Sequence, residues 1–159
     1  MDPVQQQAEA ARAARAARRA RQAGMTLIEL VATLAIASAL TSIALPKYHE
    51  IANQARVARA IGDIQAIQST IESRDSVPDN LAGLGLNLID PWGNPYVFVK
   101  FANGGSPRLD AFGIQINSTY DLYSYGKDGS SSVPLNAGVS LDDVVRANDG
   151  GFIGAASRY

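Results

Sequence analysis

Between Gly24 and Pro46 the chain carries one charged side chain, Glu29, inside a 21-residue run (Met25–Leu45) that is otherwise uncharged and mostly apolar. An α-helix of about 20 such residues crosses the hydrocarbon core of a bilayer. A carboxylate placed there costs roughly 2.5–3.5 kcal/mol on insertion scales. The segment therefore predicts a helix surrounded by lipid or by other helices, with Glu29 in need of a partner.

The flanks give that helix a direction. Residues 1–24 hold Arg12, Arg15, Arg18, Arg19 and Arg21 against Asp2 and Glu9, whereas the whole 159-residue chain has a net charge of −1. Basic residues just before an apolar span keep that side in the cytoplasm and send the rest across. The arginine and alanine repeat also suits a nucleic-acid arm, but its position beside the span favours the membrane reading, and no nucleic acid is expected as a partner. A secretory signal is the competing reading, but its cleavage site would follow the apolar core. Here the small residue, Gly24, precedes it, so cutting there removes the basic leader (1–24) and keeps the helix. Cysteine is absent, which rules out disulfides and leaves a bound metal as one way to staple a small exported head.

Helical patterning continues to about Arg74. Beyond Pro46 it becomes amphipathic, with Ile51, Ala55, Ala58, Ile61, Ile64, Ile67 and Ile71 spaced by three and four. Such a stripe predicts a helix lying on its own domain. Pro46 donates no N–H and frees the carbonyl one turn back, which reads as a kink or as a place where the helix unwinds. The domains are thus expected as the leader 1–24, a transmembrane half 25–45 and a head 46–159. Asp90–Tyr96 is a dense turn cluster. Tyr96–Phe101, Phe112–Ile116 and Tyr120–Tyr125 are expected as strands of a small antiparallel sheet. Everything after Gly126 reads as structured loop, rich in Gly, Ser and Asp. The fold class is α+β, a long N-terminal helix packed on a small sheet with a loop-rich tail.

Two places carry chemistry. Glu29 has three available fates: a pair with an α-amino group exposed at Met25 of the same helix, a pair with Met25 of a neighbouring offset copy, or a snorkelling position at the interface. The second place is acidic: Asp128, Asp142 and Asp143 lie among carbonyl-rich loops, with Asp121 and Asp149 as further candidates. Hard oxygen ligands of this kind suit Ca²⁺, although the EF-hand spacing is missing and, by spacing alone, solvated loop aspartates are the better reading. No catalytic set is present. His49 is a lone surface histidine, and there is no cysteine nucleophile, Gly-x-Ser-x-Gly or phosphate loop. The chain is not expected to be an enzyme.

Gly24-Met25-Thr26-Leu27-Ile28-Glu29, with Pro46 downstream, resembles the signal of prepilins, the precursors of type IV pilins and type II secretion pseudopilins. Family members more often start the mature chain with phenylalanine. Asp90-Pro91-Trp92-Gly93-Asn94-Pro95-Tyr96, then Asp121–Gly129, then Asp142-Asp143-Val144 is similar to the G-type major pseudopilin. That resemblance implies cleavage between Gly24 and Met25 by a prepilin peptidase, N-methylation of Met25, and assembly through Glu29 and Pro46. It also implies calcium held by the side chains of Asp128, Asp142 and Asp143 with the Tyr125 carbonyl and Ser130. The stretch Ser131–Leu141 and the tail Arg146–Tyr159 are longer than is typical. By resemblance the partners are further copies of the chain, minor pseudopilins, an inner-membrane assembly platform and its ATPase, and the lipid bilayer. The implied location is the bacterial inner membrane, single-pass, with the head in the periplasm. A surface type IV pilin, for adhesion, motility or DNA uptake, is the alternative.

Overall fold

The computed structural model describes residues 5–7, 9, 11–15, 24–86 and 88–159. Much of the expected leader, including Arg18, Arg19 and Arg21, lies outside the described residues. The chain forms two compact units, residues 1–47 and 48–159.

One helix, α1 (Leu27–Glu72), runs from the first unit into the second and contains Pro46 within its length. Every residue from 24 to 51 is exposed. The hydroxyls of Thr33, Ser38, Thr41 and Ser42 each donate to a backbone carbonyl three or four residues back, at 2.7–2.9 Å. The polar side chains of the apolar half thus spend their donors on their own helix, as a hydrocarbon environment requires. By length and composition α1 is able to cross a membrane.

In the second unit, α1 buries Ala60, Ile64, Ile67 and Ile71, at spacings of four, three and four, with Val57 and Ile61 packed beside them. The predicted stripe is correct from Ile61 onward. Upstream it turns away, and Ile51, Ala55 and Ala58 are exposed. The buried face lies against a four-stranded antiparallel meander of β1 (Val97–Lys100), β2 (Tyr120–Ser124), β3 (Val144–Ala147) and β4 (Phe152–Ala155), in that spatial order. Strand alternation sorts the side chains into two cores. Tyr120, Leu122 and Val144 join the helix, with Leu81, Leu84 and Tyr96. Val145 and Ala147 join Ile116, Leu135 and Ala156 on the other face, with Tyr123 and Phe152 packed beside them. The tail therefore closes the second face of the sheet, which is why β2 and β3 are buried almost throughout.

Polar ties lock helix to sheet. Tyr96 donates its hydroxyl to Asp63 at 2.9 Å, the Trp92 indole N–H reaches the Asn53 side-chain oxygen at 3.3 Å, and Arg146 Nε donates to Gln68 Oε1 at 3.2 Å.

Two strand expectations fail. Phe112–Ile116 is no strand but a tight turn, a near copy of the one at Asp90. In each, an aspartate Oδ1 accepts the N–H groups two and four residues on: Trp92 and Asn94 at 3.0 and 2.8 Å, and Phe112 and Ile114 at 2.8 Å each. In each, the aspartate N–H closes the turn on the carbonyl four residues ahead. Such Asx turns satisfy the backbone without a strand partner. The aromatic of the first turn docks on α1, whereas Phe112 of the second is 88% exposed. The region after Gly126, expected as loop throughout, supplies β3 and β4, joined by Asn148-Asp149-Gly150-Gly151. Asn148 and Asp149 both sit at positive φ, 50° and 52°, the left-handed region that Asn and Asp tolerate in tight turns.

Candidate functional site

The start of α1 is built by a local exchange of hydrogen bonds. Residues 24–26 are non-helical and the first helical residue is Leu27. Thr26 precedes it as N-cap: its Oγ1 accepts the Glu29 N–H at 3.3 Å, and Glu29 Oε2 accepts from the Thr26 N–H at 3.4 Å. The Thr26 hydroxyl lies at 3.4 Å from the same carboxylate oxygen. This is a capping box, in which a threonine and a glutamate three residues on satisfy each other's free backbone donors. Glu29 also places its charge in the first turn, where the helix dipole favours it. The four residues Thr-Leu-Ile-Glu spell this signature, and the sequence reading attended only to the charge. Met25 is 63% exposed, one residue before the cap.

The second candidate is the acidic loop, and here the arrangement departs from the expected one. Asp142 Oδ2 accepts two backbone N–H groups, from Lys127 at 2.7 Å and Asp128 at 3.0 Å. Asp128 is exposed, and its Oδ1 accepts the Ser130 N–H at 2.8 Å. Tyr125 stacks edge-on against Tyr123 with ring centroids 5.8 Å apart. Asp143 is fully buried and faces inward to Arg108, whose Nη2 donates to Asp143 Oδ2 at 2.7 Å. Burial pushes the Asp143 carboxyl up to about 6, against the downward pull of the Ser131 hydroxyl and the Arg108 charge. Among the described residues no three acidic or histidine side chains gather where they could hold a metal ion. As placed, Asp128, Asp142 and Asp143 do not gather into a calcium cage: Asp128 and Asp142 each give an oxygen to backbone amides, and Asp143 is paired with a cation already in the chain.

The extra candidates also have local tasks. Asp121 is buried and accepts from the Arg108 N–H at 2.6 Å and the Asn117 amide at 2.8 Å. Burial raises its carboxyl above the usual range, opposed by those two donors. Asp149 accepts the Ser118 N–H at 2.9 Å, which holds its carboxyl low. His49 is exposed, with its ring edge-on to Tyr48.

Gly126 lets the loop close. It adopts φ +66°, and a Cβ there would collide with the Asp142 backbone carbonyl. Gly126→Ala is expected to destabilise the head by on the order of 2 kcal/mol, from left-handed strain and overpacking together. A thermal melt of the variant against the parent chain checks this.

Sequence reasoning missed the two buried arginines. Arg146 lies over the Tyr120 ring at 4.1 Å and donates to Asn117 Oδ1 at 3.1 Å and the Tyr120 carbonyl at 3.3 Å. Arg108 lies over Tyr123 at 4.2 Å. Neither sits in a motif, and a single arginine between turns carries no local signal of burial.

Comparison with known proteins gives two matches. The family described as the prokaryotic N-terminal methylation motif matches residues 19–45. The chain is 27% identical over 129 residues to the type II secretion system core protein G of Pseudomonas aeruginosa, covering 65% of this chain and 82% of that protein. No solved structure gives a significant match.

Proposed function

We propose that this chain is a major pseudopilin, the structural subunit of a periplasmic filament in type II protein secretion. The methylation motif and the similarity over most of a core protein G support a pseudopilin, and neither favours a surface type IV pilin. The observation that carries the reading is the N-terminal half of α1: apolar, exposed along its whole length, self-capped at Thr26, and starting inside the matched motif. A surface of that kind is stable only against lipid or against copies of itself.

The steps of this reading are those that the resemblance implies. A prepilin peptidase removes residues 1–24 by cutting between Gly24 and Met25, and the new amino group at Met25 is methylated. The segment 25–45 anchors the subunit in the inner membrane, with the head, 46–159, in the periplasm. Glu29 pairs with the α-amino group of Met25 of an adjoining copy as helices stack, and Pro46 gives α1 a weak point at which packing can bend or unwind it. An inner-membrane platform and its ATPase drive assembly beside minor pseudopilins. The subunit performs no chemistry of its own, and its work is polymerisation that moves exported proteins outward.

Deleting the gene tests this. The expected result is loss of exported protein from the medium with surface filaments unchanged. Loss of surface filaments with secretion intact would overturn the secretion assignment in favour of the pilin.

A further inference from the structure

The acidic loop that would close on calcium closes here on a guanidinium. We infer that Arg108 takes the place of a metal ion in this chain, tying the loop 126–143 to the sheet through Asp143, so that the head is held without calcium. The inference stands apart from the filament reading, and either can fail alone.

Arg108 gathers what a hard cation would gather. Its Nη2 donates to Asp143 Oδ2 at 2.7 Å and to the Ser132 carbonyl at 3.0 Å, and its Nη1 donates to Ser131 Oγ at 2.6 Å. Ser131 Oγ in turn donates to Asp143 Oδ2. A carboxylate, a carbonyl and a hydroxyl from two separate stretches of the loop thus converge on one positive group. Both ions are buried, Arg108 at 4% exposure and Asp143 at 0%. The Tyr123 ring covers the guanidinium face, a contact that favours a desolvated arginine.

The arginine is itself anchored. Its N–H donates to buried Asp121, and the neighbouring Leu109 pairs with the loop through Leu109 N–H to the Val133 carbonyl and Leu135 N–H to the Leu109 carbonyl. The residues that meet Arg108 and Leu109, Ser131 to Leu135, fall in the stretch 131–141 that is longer than usual for the resembled family.

Charge argues against adding a metal to this arrangement. A divalent ion bound at Asp143 would sit beside a guanidinium in a site with little water to screen the repulsion. Two buried atoms of the pair lack partners, Asp143 Oδ1 and Arg108 Nε. Breaking a buried pair by removing one partner is severe because the other charge remains.

The test uses the full chain in detergent micelles, with Ca²⁺ alone as the probe. Equilibrium dialysis is expected to find no stoichiometric calcium at millimolar concentration, and the melting temperature is expected to be the same with chelator and with added Ca²⁺. Arg108→Gln is expected to raise the rate of proteolytic cutting between 127 and 141 by on the order of a hundredfold. In an Asp143→Asn background the same change should add little, because the two groups act as a pair. About one Ca²⁺ per chain with a raised melting temperature would overturn the inference, as would Arg108→Gln with loop protection intact. If Arg108→Gln does not accumulate, the wild-type titration decides alone.

Discussion

Ile67→Ala is expected to destabilise the head by about 2–5 kcal/mol, enough to leave a small domain partly unfolded at 37 °C. Ile67 is 1% exposed and sits between Ile64 and Ile71 on the face of α1 that meets Tyr120, Leu122 and Val144. Truncation removes buried methyl groups and leaves a void that rigid neighbours on both sides cannot fill. Ile51→Ala, on the same helix but 64% exposed, is the control, expected within about 0.5 kcal/mol of the parent. Thermal unfolding of both variants, followed by near-UV circular dichroism, gives the comparison. Equal melting for the two would show that the helix face does not hold the sheet.

Glu29→Gln is expected to weaken filament assembly at least about tenfold while leaving the subunit folded and inserted. Glutamine at this position still accepts from the Thr26 N–H, so the capping box and the helix start survive. What is lost is the negative charge offered to a neighbour's amino group. A charged hydrogen bond is worth about 1.5–3 kcal/mol, and about 1.4 kcal/mol changes an association constant tenfold. The critical concentration for polymerisation should therefore rise at least about tenfold per lost contact. Glu29→Leu removes the charge together with the side-chain half of the capping box, leaving the bond from the residue-29 N–H to Thr26 Oγ1, so comparing the two substitutions separates the carboxylate's local bond from its charge. Sheared-filament yield and cross-linking between copies are the readouts. Normal filaments from Glu29→Gln would mean that the carboxylate serves only its own helix.

The sequence was legible where one force acts on a regular period. The long helix and its buried isoleucines from residue 61 follow from spacing, and β1 and β2 follow from short alternating runs. Upstream of Ile61 the pattern misled, because alanine is compatible with either face: the positions packed on the core there are Ala60 and Val57, while Ala55 and Ala58 are exposed. Phe112–Ile116 misled for a different reason: two isoleucines and a phenylalanine look like a strand, yet the side chain of Asp110 had already claimed the backbone donors. The same bonding at Asp90 was visible in the parallel between Asp-Pro-Trp-Gly-Asn and Asp-Ala-Phe-Gly-Ile. β3 and β4 were hidden by their borders, since Asp142-Asp143 and a buried Arg146 do not look like the edges of a sheet. The Asn-Asp-Gly-Gly between them was the available clue.

The acidic loop was the least legible part. By spacing alone the three carboxylates read as solvated loop residues, and only the resemblance supplied calcium. Of the three, Asp143 alone meets a cation, an arginine 35 residues before it, brought there by chain pairing around Leu109. Sequence separation of that size leaves no local trace.

Endopeptidases grip substrate as extended chain, and a scissile bond wound into a helix must first be unwound. Here the bond after Gly24 lies outside the spiral, and the first rung of the backbone ladder, Leu30 N–H to the Thr26 carbonyl at 3.0 Å, begins beyond it. Hydrolysis at that bond breaks nothing that holds the helix. A product cut there would carry a one-residue stub ahead of an intact first turn.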